Sequence, residues 1–287
     1  MAQKSLIEWT QATWNCIRGC SMCSSGCLFC YAMMIAARFS RLGRPFHGFA
    51  VMTKKRPKWT GKVALIEDLL NQPLHWKRPR VIFVNSMSDL FHEDLSAADI
   101  LRVFEVMNQA DWHIYQILTK RSERLREMSL SLSWAKQVWM GVSVENADYV
   151  HRIDDLRQSG ALVKFLSIEP LLGPMPILDL AGINWVIAGG ESGPKARPMN
   201  PDWARSVRDQ CQTAGVAFFF KQWGKLSNNP DRADPTAKGN GGYAKGGRML
   251  DGRTWDEMPA GIQLSNLHGD VGDARPAGSL LSLPVLE

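Results

Sequence analysis

The sequence predicts an α/β fold, a parallel (β/α) barrel, complete or partial, with a glycine-rich C-terminal tail. Three observations carry that expectation. Six apolar runs of strand length recur between residues 81 and 222, capped helical stripes lie between several of them, and the carboxyl ends of the runs are polar.

The strands come first. VIFVNS from Val81, IYQILT from Ile114, VWMGVSV from Val138, KFLSIEP from Lys164, WVIAGGES from Trp185 and VAFFFKQ from Val216 are apolar runs bounded by polar residues. Such runs read as strands buried on both faces of a parallel sheet. A short strand just before Cys16, and one from Val63 to Ile66, are further candidates. The helices are signalled separately. Ser96 is an N-cap with Asp99 three residues on, and Ile100, Leu101, Phe104 and Met107 form the stripe behind it. Asn146 begins a second helix with Val150, Ile153 and Leu156 inward and Gly160 at its end. Asn200 and Pro201 open a third, with Ala204, Val207 and Cys211 on one face and Gly215 beyond. Cys211 therefore reads as a buried core thiol. Leu28 to Arg41 is a further helix, stopped by Gly43 and Pro45.

A flat doubly wound sheet is the alternative arrangement. In both folds ligands bind beyond the carboxyl ends of the strands. Those positions hold Asn85, Ser86, Ser88 and Asp89, then Thr119, Lys120 and Arg121, then Ser143 and Glu145, Ser167 and Glu169, Gly189 to Ser192, and Lys221 and Gln222. Lys120, Glu145 and Glu169 point into one cavity in this register and are the candidates for catalytic work. Residues 1–224 are expected to form the barrel with an N-terminal cysteine loop. From Lys225 glycines crowd a stretch poor in apolar residues, so 225–287 is expected to be an irregular tail or lid.

At 287 residues and 45% hydrophobic content the chain can bury a full core. No apolar run approaches a membrane span, so no membrane partner is expected, and no secretory leader is read. A soluble, cytoplasmic protein in a reducing compartment follows as the expectation. The formal charge of +6 permits an acidic partner. No protein partner is specified.

Five of the six cysteines, Cys16, Cys20, Cys23, Cys27 and Cys30, fall within fifteen residues. Thiolates so crowded point to a metal. Structural zinc takes two Cys-x2-Cys knuckles a dozen or more residues apart, whereas three residues separate Cys20/Cys23 from Cys27/Cys30. That spacing is cramped for zinc and natural for a loop around an iron-sulfur cluster. A 4Fe-4S cluster wants one thiolate per iron, so a three-cysteine loop leaves one iron open to a ligand.

A cysteine triplet in the loop after a first short strand, heading a β/α barrel, resembles the radical S-adenosylmethionine superfamily. More narrowly, the chain resembles the phage-encoded three-cysteine-motif family of unassigned function. The matching segments are IEWTQATWNCIRGCS, GCLFCYA, PKWTGKV, VIFVNSMSDLFHEDL, QILTKRSER, VWMGVSVEN, FLSIEPLLGP, WVIAGGESGPKARP, VAFFFKQWG and GRMLDGRTWDEMP. The resemblance implies a radical-SAM-like barrel, a 4Fe-4S cluster and S-adenosyl-L-methionine as cofactors. It also implies reductive cleavage of the sulfonium to a 5′-deoxyadenosyl radical that takes hydrogen from a substrate. Cys27 and Cys30 would be ligands. The narrower family's C-x6-C-x2-C spacing selects Cys20 as the third and the wider superfamily's spacing selects Cys23. Phe29 matches the aromatic residue before the last cysteine. The superfamily's Gly-Gly-Glu has its only look-alike at Gly189, Gly190 and Glu191, late in the barrel, so its role is not transferred. Ser86, Ser88 and Asp89 stand after the early strand instead, with Asp89 the candidate partner for the cofactor's ammonium group.

A rival reading is a nucleic-acid-binding protein whose iron-sulfur or zinc site is structural. Its support is the basic run Lys54, Lys55, Arg56, Lys58, Trp59 and Lys62, preceded by Arg38, Arg41 and Arg44. These residues could meet DNA or RNA phosphates while the indole stacks on a base.

Overall fold

The computed structural model describes residues 5, 7–193, 195–237 and 246–260. Seven strands form one parallel sheet: β1 (Ala12–Trp14), β2 (Val81–Val84), β3 (Ile114–Thr119), β4 (Val138–Ser143), β5 (Val163–Ile168), β6 (Trp185–Gly189) and β7 (Ala217–Gln222). They neighbour one another in chain order and curl into a half-barrel, with β1 at one edge and β7 at the other. The six runs read from the sequence are all strands of this sheet, and the short strand before Cys16 is its first. The partial barrel is therefore the form adopted. Ala64–Leu65 is a strand too, but it pairs antiparallel with Ile17–Arg18 outside the sheet.

The helices α1 (Tyr31–Arg38), α2 (Ala97–Gln109), α3 (Ser122–Met128), α4 (His151–Arg157) and α5 (Pro201–Ala214) punctuate the strands. Their ends follow local chemistry. The Ser96 side chain accepts from Asp99 N, satisfying a free amide of the first turn of α2. Asn200 does the same for Asp202 N ahead of Pro201, and Gly215 closes α5 at φ +67°. Asn146 caps a single 3-10 turn, Ala147–Tyr149, before α4 begins.

Alternation along the strands sorts residues between two faces. One face, with Ile82, Tyr115, Met140, Leu166, Val186 and Phe218, packs against Ile100, Phe104, Ile153, Ala204, Val207 and Cys211 of the helices. Among the described residues no helix packs on the other face, which is filled by Trp9, Phe83, Trp139, Phe165, Trp185 and Phe219. Trp185 is its centre, with ring centroids 5.7 Å from Phe165, 6.0 Å from Phe219, 6.1 Å from Trp9 and 6.4 Å from Trp139. Gly141 makes this packing possible, since a Cβ there would lie 2.4 Å from the Phe165 ring. The same parity continued toward the carboxyl ends gives Lys120, Ser143, Glu145, Ser167, Glu169 and Lys221. The inner face therefore has an aromatic floor and a polar upper layer.

The described part of the segment beyond Lys225 packs on the sheet. Phe220 N donates to Trp255 O at 2.9 Å, and the Trp185 indole donates to Glu257 O at 2.9 Å. Residues 255–257 thus cover the open edge of β7, which an exposed strand would otherwise offer to another chain. Leu250 and Trp255 belong to the main core. The glycines at 239, 241 and 242 and the last 27 residues lie outside the described residues.

Gly141→Ala is expected to force the Phe165 ring from its place and to cost about 1–3 kcal/mol. Urea unfolding of the variant beside the parent protein measures this; an unchanged midpoint would contradict the packing described.

Candidate functional site

The chain leaves β1 at Asn15 and enters the cysteine loop at the carboxyl end of the half-barrel. Gly19 anchors the entry at φ +88°, where a Cβ would stand 1.9 Å from the Lys62 carbonyl oxygen, so only glycine fits. A short 3-10 turn, Ser25–Cys27, precedes α1. Cys16 is fully buried, with its sulfur 3.8 Å from Asn85 Oδ1, and burial raises its thiol pKa. It is removed from the loop's other thiols. Cys211 is likewise buried on α5, as its place on the helix stripe implied.

The remaining four cysteines share one neighbourhood. Arg121 Nη1 lies 3.9 Å from Cys20 Sγ and 3.8 Å from Cys23 Sγ. Cys27 Sγ lies 3.6 Å from Ser24 Oγ. A hydrogen bond from Cys23 lowers the Cys27 pKa and Lys120 assists; the same bond raises Cys23. Burial pushes Cys20 up to about 12 and raises Cys30. Four soft thiols flanked by two cations, Lys120 and Arg121, form a donor set whose chemistry suits an iron-sulfur cluster. Among the described residues no three His, Cys, Asp or Glu side chains are gathered closely enough to hold a single metal ion.

Under the loop sits a buried charge cluster. Glu145, from the end of β4, has no exposed side-chain surface. Its Oε1 pairs with Lys120 Nζ, from the end of β3, and accepts from Ser24 Oγ at 2.5 Å. Its Oε2 accepts from Arg152 Nη1, on α4, at 2.9 Å. Arg152 also donates to Ser143 O at 2.7 Å. Burial works against the Lys120 charge, but Glu145 outweighs it and raises the pKa. Gly26 closes the contact from above, with space for no side chain: a Cβ there would be 2.6 Å from Glu145 Oε1 and 2.7 Å from Lys120 Nζ.

Asp89 is fully engaged. Its Oδ1 accepts from Phe91 N at 3.0 Å and Thr119 Oγ1 at 2.6 Å; its Oδ2 accepts from Lys120 N and Arg121 Nη1, both at 3.1 Å. Arg121 in turn donates from Nε to Glu93 at 2.5 Å and from Nη2 to Ser21 Oγ at 2.7 Å. His92 Nδ1 accepts from Asp94 N at 3.1 Å, which leaves Nε2 to donate to Ser21 Oγ at 2.9 Å. Ser86 Oγ donates to Asn15 Oδ1 at 3.1 Å, its carbonyl accepts from Tyr31 OH at 2.6 Å, and Ser88 Oγ donates to Ile17 O at 3.0 Å. These four positions, at 86, 88, 89 and 121, clamp the two ends of the cysteine loop.

The third sequence-predicted acid stands apart from this cluster. Glu169 pairs with Lys221 Nζ at 3.1 Å, and Gly189 leaves room for it, since a Cβ there would lie 2.8 Å from Glu169 Oε1. Beside it Glu191 takes Arg197 in a two-point ion pair at 2.8 and 2.5 Å. The Arg197 guanidinium lies 5.4 Å from the Phe29 ring centroid. Lys120 and Glu145 are thus in contact, while Glu169 joins a second ion pair on the rim. Ser24, His92, Arg152 and Arg197 were not legible as site residues. Ser24 alone had a signal, its position between Cys23 and Cys27.

Fold and site together define a class: an α/β half-barrel with a thiol-rich loop seated on a buried charge cluster at its carboxyl mouth. The chain belongs to the DUF5131 family, described as proteins of unknown function, whose family model matches residues 4–259. Neither a curated protein nor a solved structure matches it. Among the described residues no helix is long and apolar enough to cross a membrane.

Glu145→Ala would leave Lys120 and Arg152 buried without their carboxylate, and is expected to cost about 3–5 kcal/mol. Alkylation of the loop thiols should quicken in this variant and stay unchanged in Glu169→Gln. Equal thiol reactivity in both would contradict the seating of the loop on Glu145.

Proposed function

We propose that the protein is a radical S-adenosylmethionine enzyme, with a 4Fe-4S cluster held by Cys27, Cys30 and either Cys20 or Cys23. The observation that carries the reading is the position of the cysteine loop. It follows the first strand of a parallel half-barrel and precedes α1, over the strand ends where such folds bind ligands. The resemblance of the cysteine spacing and the ordered segments supplies the cofactor.

When bound and reduced, the cluster supplies the electron that splits the sulfonium of S-adenosylmethionine into methionine and a 5′-deoxyadenosyl radical. The chain's own residues prepare that step. Lys120 adds to the Cys23 hydrogen bond in lowering the Cys27 pKa, and Arg121 works against the burial that raises Cys20 and Cys23. Glu145 and Arg152 hold Lys120 in place from below. Asp89, Ser86 and Ser88 act by fixing the loop ends, because their polar atoms are already taken up there. The rim pair Glu169–Lys221 has only each other among the described residues, and is the candidate to meet a cofactor or substrate amino or hydroxyl group. Phe29, with Arg197 near its ring, offers a flat apolar surface beside the last cysteine.

The rival, a nucleic-acid-binding protein with a structural cluster, has one observation in its favour: the exposed basic hairpin of Ala50–Met52 and Pro57–Trp59. Cofactor cleavage separates the two. Protein reconstituted anaerobically with iron and sulfide, then given S-adenosylmethionine and dithionite, should release 5′-deoxyadenosine and methionine. Cys27→Ala or Cys30→Ala should abolish both the visible absorption and the products. Stoichiometric zinc without iron in anaerobically purified protein, or an intact cluster that leaves the cofactor whole, would overturn the proposal.

A further inference from the structure

Between Glu8 and Glu67 the chain has no acidic residue and nine Lys or Arg. Since the whole chain carries only +6, the remainder is net acidic, so the excess of positive charge comes from this stretch between Glu8 and Glu67. Within it Ala50–Met52 and Pro57–Trp59 pair as an antiparallel hairpin. Thr53 fixes the turn: its Oγ1 donates to Arg56 O at 2.6 Å and accepts from Arg56 N at 3.1 Å. The turn thereby holds Lys54, Lys55 and Arg56 out to solvent. Neither they nor Arg41, Arg44 and Lys58 pair with a carboxylate among the described residues. The hairpin is packed onto α1 through Ala36, Ala37, Phe49 and Ala50.

The outer side of α1 adds a second, independent feature. Tyr31, Ile35 and Phe39 are 47%, 37% and 49% exposed. Spaced by four residues, they form a single file along one helix face. At 1.5 Å per residue the file runs about 12 Å, beginning at the residue after Cys30. Exposed rings on α1, with Arg41 and Arg44 directly after Phe39 in the chain and the cationic hairpin packed on the same helix, supply the two features that bind single-stranded nucleic acid: phosphates meet the cations and unstacked bases lie on the rings. A lipid surface would call for the broad apolar face of an interfacial helix, and a file one side chain wide does not supply it.

We propose that α1 and the 50–59 hairpin form a binding face for single-stranded nucleic acid that leads to the cysteine loop. That the strand is also the substrate rests on the proposed reaction; the binding face does not.

The test uses reconstituted full-length protein and labelled oligonucleotides read by fluorescence anisotropy. The probes are single-stranded DNA, single-stranded RNA and duplex DNA, and vesicles of phosphatidylserine and phosphatidylcholine are assayed in parallel. A single strand should bind in preference to the duplex, and whichever of DNA and RNA binds tighter identifies the source. The triple variant Lys54→Ala, Lys55→Ala, Arg56→Ala should weaken binding by about tenfold or more and flatten the log–log salt slope by about 2. Phe39→Ala should weaken binding by about tenfold with the salt slope unchanged. Lys136→Ala, an exposed site just before β4 at the opposite end of the strands, should match the parent. Circular dichroism of each variant verifies the fold. Parent-like binding by the triple and Phe39 variants, or capture by vesicles in place of oligonucleotides, would overturn the face. Binding without cofactor cleavage supports the face and overturns the reaction; cleavage without binding does the reverse.

Discussion

The seating of the cysteine loop on the half-barrel depends on one buried carboxylate. Glu145 has no exposed side-chain surface, yet it stands between two cations and a hydroxyl. A lone ionised carboxylate at such a depth would be prohibitively costly, so the four groups stand or fall together. They come from the end of β3, the end of β4, α4 and the cysteine loop. Through them a loop with little regular structure is bolted to three elements of the barrel. The second clamp, Asp89 with Arg121, ties the loop's earlier half to the ends of β2 and β3.

The barrel can carry this charge because of the layering of its inner face. The strand alternation puts Trp139, Phe165, Trp185 and Phe219 below, where water is excluded, and Lys120, Glu145, Glu169 and Lys221 above. Gly141 and Gly189 mark the two layers: one yields space to an aromatic ring, the other to a carboxylate. The segment at 246–260 closes the far side by covering β7 and adding Leu250 and Trp255 to the core. A fully closed barrel would need an eighth strand between β1 and β7, and the half-barrel instead blunts its last edge with this segment.

Much of this was legible because it is local. Strand runs, Ser96 with Asp99, Asn200 with Pro201, and Gly215 are signals written within a few residues of the structure they dictate. Lys120, Glu145 and Glu169 were legible through strand parity. What escaped depended on contacts across the chain. Arg152 sits in a helix whose stripe marks only its apolar neighbours, so nothing local shows that its guanidinium reaches Glu145. Asp89 and its serines announce polarity at a strand end, but not that every acceptor is already taken by Thr119, Lys120, Arg121 and the loop. Ala64–Leu65 reads as a strand, whereas its partner, Ile17–Arg18, is set by the crossover and not by the run itself. Residues 246–260 are glycine-rich and without a period, yet Leu250 and Trp255 in the main core and Met258 against the inner face dock them.

The proposed reaction requires the loop to hold an iron with a free coordination position at the barrel mouth. Electron paramagnetic resonance of the reduced, reconstituted protein tests it most directly, recorded with and without S-adenosylmethionine. The account predicts a reduced 4Fe-4S signal whose g-values shift when the cofactor is added, as a ligand joins the open iron. A 4Fe-4S signal that stays the same at saturating cofactor would contradict it.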